Sequence, residues 1–278
     1  MVKPIEKREQ VANGLWDRII VNCDGATLDP ALLRGLINGD YPVVLLKGLL
    51  SEELVNASKE RLLTLRNSAA VTQYANGSLT LIGTFLVKYL SRLDEYYVEA
   101  AKADARTAAV GFDLPAQVRD RLRRLFGFRR FEVATEIDGR RYASSNVRIC
   151  ANDIDTPLHN DDIRRDGAQF PIILAGLKHQ LSCVVCLQES DDGGELSIFR
   201  KPWQQADEVY KVPSGLGYDM GVVAGKAGHE FRPQAGDVYL LNPTNYHAVK
   251  RVTGKDRITL GFFFGFFDDE LDQPVGWV

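Results

Sequence analysis

No apolar run in this chain approaches the ~18 to 20 residues that a membrane-crossing helix needs. The first ten residues, Met1 to Gln10, are charged and lack the apolar centre of a secretory signal. Lysine and arginine are nowhere dense enough to track a phosphate backbone, and the formal net charge is −3 with a pI near 5.9. Neither nucleic acid nor a membrane is therefore expected as a partner. The densest basic stretch, Arg119 to Arg130, has leucine and phenylalanine between its arginines and reads as a solvated helix face. Only four cysteines occur, Cys23, Cys150, Cys183 and Cys186, which form no disulfide framework in a chain of this length. Cys183 and Cys186 lie inside Leu181 to Leu187, a run that reads as a buried strand, so they are expected as small core residues rather than as a zinc or redox pair. A cytoplasmic, reducing location is the default that follows.

What is present is enough for a full core: 278 residues, 45% of them hydrophobic, with no internal repeat and no low-complexity segment. Residues 1 to about 40 form a lead-in, within which Asp29-Pro30 predicts a short helix over Ala31 to Asn38. Tyr41 to Leu49 is rich in β-formers. Ser51 then stands as an N-cap before Glu52 and Glu53, opening an amphipathic helix to about Leu65. From Gly83 to Phe126 the pattern is helical. Phe85, Tyr89, Leu93, Tyr96 and Tyr97 form an aromatic stripe expected as helix core, and Pro115 suits a first turn. After Phe128 the texture changes to short strands: Phe131 to Glu136, Asn146 to Cys150, Gln180 to Leu187, Glu195 to Phe199, Glu208 to Val212, Val238 to Leu241, His247 to Val252 and Arg257 to Phe264. Asp138-Gly139, Asp192-Gly193-Gly194 and Thr253-Gly254 are turn signals between them. Many short strands at this spacing predict a sandwich or barrel.

Histidine is scarce, and its placement is informative. Of four histidines, His159 lies in Thr156-Pro157-Leu158-His159-Asn160-Asp161-Asp162, two residues before Asp161. Alternate residues of an extended chain share a face, so this imidazole and carboxylate can supply two of the three ligands of a 2-His-1-carboxylate site for Fe(II). His247 stands in a distant strand, and ten residues on come Arg257, Ile258 and Thr259. His179 and His229 read as surface or packing residues.

The ordered set of His-x-Asp, a far histidine and Arg-x-Thr resembles the Fe(II)/2-oxoglutarate-dependent oxygenases. Gly193-Gly194-Glu195-Leu196 and Pro233 to Val238 match that superfamily too, and Leu181-Ser182, Gly193 to Leu196 and Glu230-Phe231-x-Pro233 look most like its free-standing small-molecule hydroxylases and halogenases, which act on amino acids or alkaloids in bacterial natural-product pathways. The resemblance implies an α+β fold: a double-stranded β-helix (jelly-roll, cupin-like) core with flanking N-terminal helices. Residues 1–278 then form a single domain, 1–128 a mostly helical flank and 129–278 the jelly-roll core. It implies His159, Asp161 and His247 as metal ligands, and Arg257 with Thr259 at the distal carboxylate of 2-oxoglutarate. Arg148 and Asn152 are candidates for its other end or for the substrate. Fe(II), 2-oxoglutarate and O2 are the implied cofactors. The implied partner is a small, amino-acid-like substrate, and oligomeric state is left open.

Carrier-independent halogenases of that group carry glycine where this chain has Asp161. The implied reaction is therefore hydroxylation, with desaturation or ring closure as alternatives. A cupin-like metal enzyme or a small-molecule binding protein that does not use 2-oxoglutarate is the other reading. Gln180 and Ser182 are possible pocket residues, Trp203 a loop anchor or substrate wall, and Asp162, Arg164 and Arg165 charges on a loop near the site.

Overall fold

The computed structural model describes residues 16–66, 69–74, 77–213 and 217–278, so the charged stretch from Met1 to Gln10 lies outside the described residues. Eight strands build the centre: Asn146–Cys150, Thr156–His159, His179–Gln188, Leu196–Pro202, Gly228–Phe231, Val238–Leu241, Asn245–Val249 and Arg257–Phe266. In the larger sheet the order is 238–241, 179–188, 257–266, 146–150; in the smaller it is 228–231, 196–202, 245–249, 156–159. The chain changes sheet at every connection but the one between Leu196–Pro202 and Gly228–Phe231, and all these neighbours run antiparallel. That interleaving is the double-stranded β-helix expected above.

Strand alternation divides the larger sheet into two faces. Leu181, Cys183, Val185, Leu260 and Phe262 point outward against Leu33, Val55, Leu62, Val118 and Leu122 of three helices, Ala31–Asn38, Glu52–Leu63 and Leu114–Phe126. Residues of the opposite parity point inward. At one end Leu45, Tyr239 and Leu241 meet Leu196, Ile198 and Phe231 of the smaller sheet in a dry cluster. The site borders this cluster, since Ile198 is the direct strand partner of His247 and Tyr239 contacts Arg257. Cys183 and Cys186 are both fully buried. Burial pushes both thiols up, Cys186 to about 12, which leaves no thiolate for metal or redox work at neutral pH.

The helices form where their caps expect them. Ser51 Oγ accepts from Leu54 N at 3.3 Å, and Pro115 lies in the first turn of Leu114–Phe126, which ends at Gly127 in the left-handed conformation with φ 69. Residues 1–128 are nonetheless more than a helical flank. Ile19–Asn22 and Val43–Lys47 extend the larger sheet beyond Val238–Leu241, and Gly77–Ile82 and Ala70–Tyr74 extend it beyond Asn146–Cys150. An uncovered edge would leave a row of backbone donors and acceptors unpaired, and these strands satisfy them.

Three further expectations are corrected. Phe85 and Tyr89 belong to a 3-10 turn before the helix Leu93–Ala109, so only Tyr96 and Tyr97 of the stripe form its buried face. Arg119 is not solvated: it is 6% exposed, donates to Ser144 O at 3.0 Å and lies over the Phe262 ring. The segment expected as a strand from Glu208 to Val212 overlaps a 3-10 helix, Gln205–Tyr210, because the Asp207 carboxylate accepts from Gln204 N at 2.8 Å and closes a capping box. Among the described residues no helix is long and apolar enough to cross a membrane.

Candidate metal and co-substrate site

His159 closes the strand Thr156–His159, and its direct partner on the neighbouring antiparallel strand is His247. Cross-strand partners share a face, so the two rings lie side by side with centroids 4.2 Å apart. Asp161 follows just beyond the strand end, its backbone N donating to Pro243 O at 2.9 Å. Its Oδ2 lies 3.6 Å from His159 Nε2 and 3.7 Å from His247 Nε2. One ligand atom from each residue falls within 4.8 Å of the others, the only such group of three among the described residues.

The chemistry of the donors fits a divalent metal. His159 Nδ1 contacts Pro157 O at 2.8 Å and His247 Nδ1 contacts Asn245 O at 2.9 Å. A carbonyl oxygen only accepts, so each Nδ1 carries the proton and each Nε2 presents a lone pair toward Asp161. Burial, followed by the neighbouring His159, pushes His247 down to about 4, which keeps it a neutral ligand at physiological pH. The sign of the linkage follows. The unfolded chain takes up a proton on this histidine below its ordinary 6.5, and the folded chain does so only near 4. Stability of the metal-free protein is therefore expected to hold above about 6.5 and to fall progressively as pH drops from there toward 4. Urea midpoints between pH 4 and 8 measure this. A slope in His247→Leu as steep as that of the unaltered protein would refute it.

Arg257 and Thr259 enter the same interior from Arg257–Phe266, 5% and 3% exposed. The pairing with His179–Gln188 slips by one residue between Ile258 and Thr259, a bulge of the kind that re-aims side chains beside active sites. Arg257 Nη2 donates to Tyr239 Oη at 3.3 Å, and no acidic group among the described residues forms an ion pair with it. The cause of the close fit behind it is Gly194, where a Cβ would meet Arg257 Cδ at 3.0 Å and Ser190 Oγ at 2.8 Å. Arg148 is the direct partner of Thr259 on the other side, and its Nε is buried with no hydrogen-bond partner.

The remaining candidates separate cleanly. Gln180 supports the metal loop: its Oε1 accepts from Ile163 N at 2.9 Å and its Nε2 donates to Asp161 O at 3.3 Å. Ser182 faces the same interior, as the partner of Leu241 and Phe263. Asn152 is exposed and bonded to Asp153 and Gly254, so it belongs to a turn rather than to the site. The charges after the motif neutralise one another, Asp162 with Arg164 at 2.7 Å and Arg165 with Asp166 at 2.7 Å, and therefore offer no free pair to a zwitterion. Trp203 anchors a loop, its Nε1 donating to Glu208 at 3.0 Å beneath the Arg165 guanidinium. His179 pairs with Asp269 at 2.7 Å and His229 with Asp17 at 3.1 Å, and neither approaches the triad. Tyr239, Gly194 and Phe85 are neighbours that sequence reasoning did not place here, since each reaches the site only through sheet register or a connecting turn.

A double-stranded β-helix with two histidines and one carboxylate facing its interior defines a class of metal-binding jelly rolls. Residues 18–272 match the family model described as carrier-protein-independent halogenase WelO5, and the chain belongs to that family. A curated relative, leucinostatins biosynthesis cluster protein S of Purpureocillium lilacinum, is 26% identical over 132 residues, 46% of this chain; the match spans about half of that relative, 52% of its length. An N-substituted L-amino acid dioxygenase from Burkholderia ambifaria superposes with a TM-score of 0.62 at 15% identity, covering 89% of this chain and 91% of that one. The same dioxygenase in complex with alpha-ketoglutarate superposes with a TM-score of 0.58 at 15% identity, over 89% and 90% of the two chains. The non-heme alpha ketoglutarate dependent epimerase SnoN from nogalamycin biosynthesis gives 0.50 at 14% identity, over 88% of each chain. These likenesses establish the shared fold.

Proposed function

We propose that this protein is an Fe(II)/2-oxoglutarate-dependent oxygenase that functionalises an unactivated C–H bond, most readily by hydroxylation, of a small amino-acid-like molecule in natural-product biosynthesis. The observation that carries this reading is Arg257: a buried guanidinium without an acidic partner, on the same interior as a 2-His-1-carboxylate cluster. A buried unpaired charge is costly, and a dicarboxylate co-substrate removes that cost by bringing its own counter-ion.

His159, Asp161 and His247 would hold the iron. Arg257 would bind the distal carboxylate of 2-oxoglutarate through its planar fork, with the Thr259 hydroxyl as a second donor. Arg148 supplies another positive charge to this face. Iron with bound 2-oxoglutarate supplies, at the expense of dioxygen, the power to oxidise a C–H bond, with release of succinate and carbon dioxide. The chain's part is to keep both imidazoles in the ligating tautomer through Pro157 O and Asn245 O, to hold Asp161 through Gln180 and Pro243, and to exclude water with the apolar cluster of Leu196, Ile198 and Phe231.

Asp161 favours oxidation over halogenation, because a carboxylate stands where a halide would need to coordinate. The family match and the leucinostatin relative support a natural-product setting, and the likeness to an amino acid dioxygenase supports an amino-acid-like substrate. Titration of 2-oxoglutarate into anaerobic Fe(II)-loaded protein is expected to give a weak visible metal-to-ligand charge-transfer band, lost in His247→Leu. Iron binding with no such band would favour a metal enzyme that does not use 2-oxoglutarate.

A further inference from the structure

Four buried polar side-chain atoms among the described residues have no hydrogen-bond partner: Arg18 Nε, Asn146 Oδ1, Arg148 Nε and Asn160 Nδ2. Buried polar groups are rarely left unsatisfied in a working protein. Two of the four belong together. Asn146 and Arg148 are two residues apart on the strand Asn146–Cys150 and so share a face. Their partners on Arg257–Phe266 are Gly261 and Thr259, and Gly261 is in turn the partner of Val184, which packs into the dry cluster between the two sheets. Both therefore point into the interior that holds the metal cluster.

The orientation of the Asn146 amide is set, because its Nδ2 donates to Thr84 O at 3.5 Å and leaves Oδ1 as the inward atom. That atom can only accept. Gly261 leaves room beside it: a Cβ there would stand 3.7 Å from Asn146 Oδ1. Arg148 can only donate. Its guanidinium lies over the Phe85 ring at 5.1 Å, and no acidic group among the described residues pairs with it. The same ring carries Lys88 Nζ at 5.0 Å, at the exposed end of the turn Leu86–Tyr89. Burial, and then Arg148, lowers the proton affinity of Lys88, as expected for two cations sharing one aromatic face.

Arg257 and Arg148 have different neighbours. Arg257 leans toward Tyr239, across the sheet on the side of Val238–Leu241, whereas Arg148 leans toward Phe85, which follows Gly77–Ile82 on the opposite side. One dicarboxylate that ends on Arg257 leaves Arg148 without a counter-ion.

We infer that Asn146 and Arg148 form the recognition site for the head of the primary substrate: Arg148 binds its carboxylate, with Phe85 beneath the guanidinium, and Asn146 Oδ1 accepts from its amine or amide N–H. This rests on the oxygenase reading of the site and adds to it a substrate class, a free carboxylate with an N–H donor beside it. A carboxylate-free alkaloid would leave the half-buried Arg148 without an acidic partner and its buried Nε unsatisfied, and so is disfavoured. Arg148 acts by binding and selection, and the metal ligands stay as they are.

The test uses full-length protein loaded anaerobically with Fe(II) and 2-oxoglutarate. The probes are the twenty common L-amino acids, their N-acetyl derivatives and the methyl esters of both, scored by perturbation of the visible charge-transfer band and by calorimetry. The expected result is that at least one free acid shifts the band and its methyl ester does not. Arg148→Gln should weaken that acid by at least about 30-fold, as for loss of a buried charge-assisted contact, and Arg148→Lys should recover part of it. Asn146→Leu should weaken the N–H probes and spare 2-oxoglutarate. In both Arg148 variants 2-oxoglutarate affinity should stay within about threefold, which also shows that the variants fold. A panel with no binder, an ester equal to its acid, or a bound acid indifferent to Arg148→Gln each overturns the proposal. Loss of 2-oxoglutarate itself in Arg148→Gln overturns it too, since it reassigns Arg148 to the co-substrate. Absence of a charge-transfer band in the unaltered protein sinks the oxygenase reading instead, and is seen before any probe is added.

Discussion

Replacement of Asp161 by glycine is expected to abolish C–H oxidation while leaving the protein folded and able to bind 2-oxoglutarate. Asp161 supplies the one anionic donor of the triad, within 3.7 Å of both imidazoles. Altering a residue that merely supports a metal ligand costs about 10 to 100-fold in affinity or activity, so removing a ligand should cost at least about a thousandfold. The side chain is partly exposed and, among the described residues, forms ion pairs only within the triad, so its loss opens no core cavity. Its backbone bonds to Pro243 and Gln180 persist in glycine. Retained co-substrate binding follows because Arg257 and Thr259 lie on a different strand. Succinate release and anaerobic iron titration measure the two halves separately. Near-normal turnover and iron affinity in Asp161→Gly would show that the carboxylate is a bystander. Chloride should be varied in the same assay, since the variant reproduces the glycine that carrier-independent halogenases have at this position.

Arg257→Met is expected to melt no lower than the unaltered protein without ligands, and to lose its response to 2-oxoglutarate. These opposite effects come from one cause. An arginine 5% exposed, in contact with Tyr239 and the Cys150 thiol, carries a buried charge with no acidic partner among the described residues. Replacing a buried charge by an apolar side chain of similar length is often neutral or stabilising by ~1 to 4 kcal/mol. With 2-oxoglutarate at 100 times its dissociation constant, the unaltered protein should gain about 2.7 kcal/mol. If the variant loses ~2 to 5 kcal/mol of carboxylate binding, its gain under the same conditions should be under about 1 kcal/mol. Calorimetric melting with and without 2-oxoglutarate reads both quantities. Equal stabilisation of the two proteins would remove Arg257 from the site.

Much of this was legible in the residues because the signals are local. The short β-forming runs between turn signals after Phe128 mark the core strands, Asn146–Cys150 and Val238–Leu241 to the residue. Ser51 and Pro115 mark helix starts through backbone donors that any helix must satisfy. Arg257 and Thr259 share a strand face and are fixed relative to each other by the pleat, whereas Asp161 lies just past the strand that ends at His159. Where two local tendencies compete, the reading failed. From Glu208 to Val212 the capping carboxylate of Asp207 prevailed over β-formers, and at Arg119 a long side chain in an amphipathic helix was turned inward to Ser144 O.

By itself, then, the sequence carried the His-x-Asp pair, the distant His247 and the Arg257-x-Thr259 pair, and through the resemblance these support it implied the jelly-roll class, because residue type and local spacing are written in the chain. Only the tertiary structure decided that His247 lies directly opposite His159, that Gly194 and Tyr239 frame Arg257, that Arg148 turns toward Phe85, and that Asn146 Oδ1 is left for a ligand. Each of these is set by the register between strands far apart in the chain. That register is chosen by which faces bury together, and no short stretch of sequence records it.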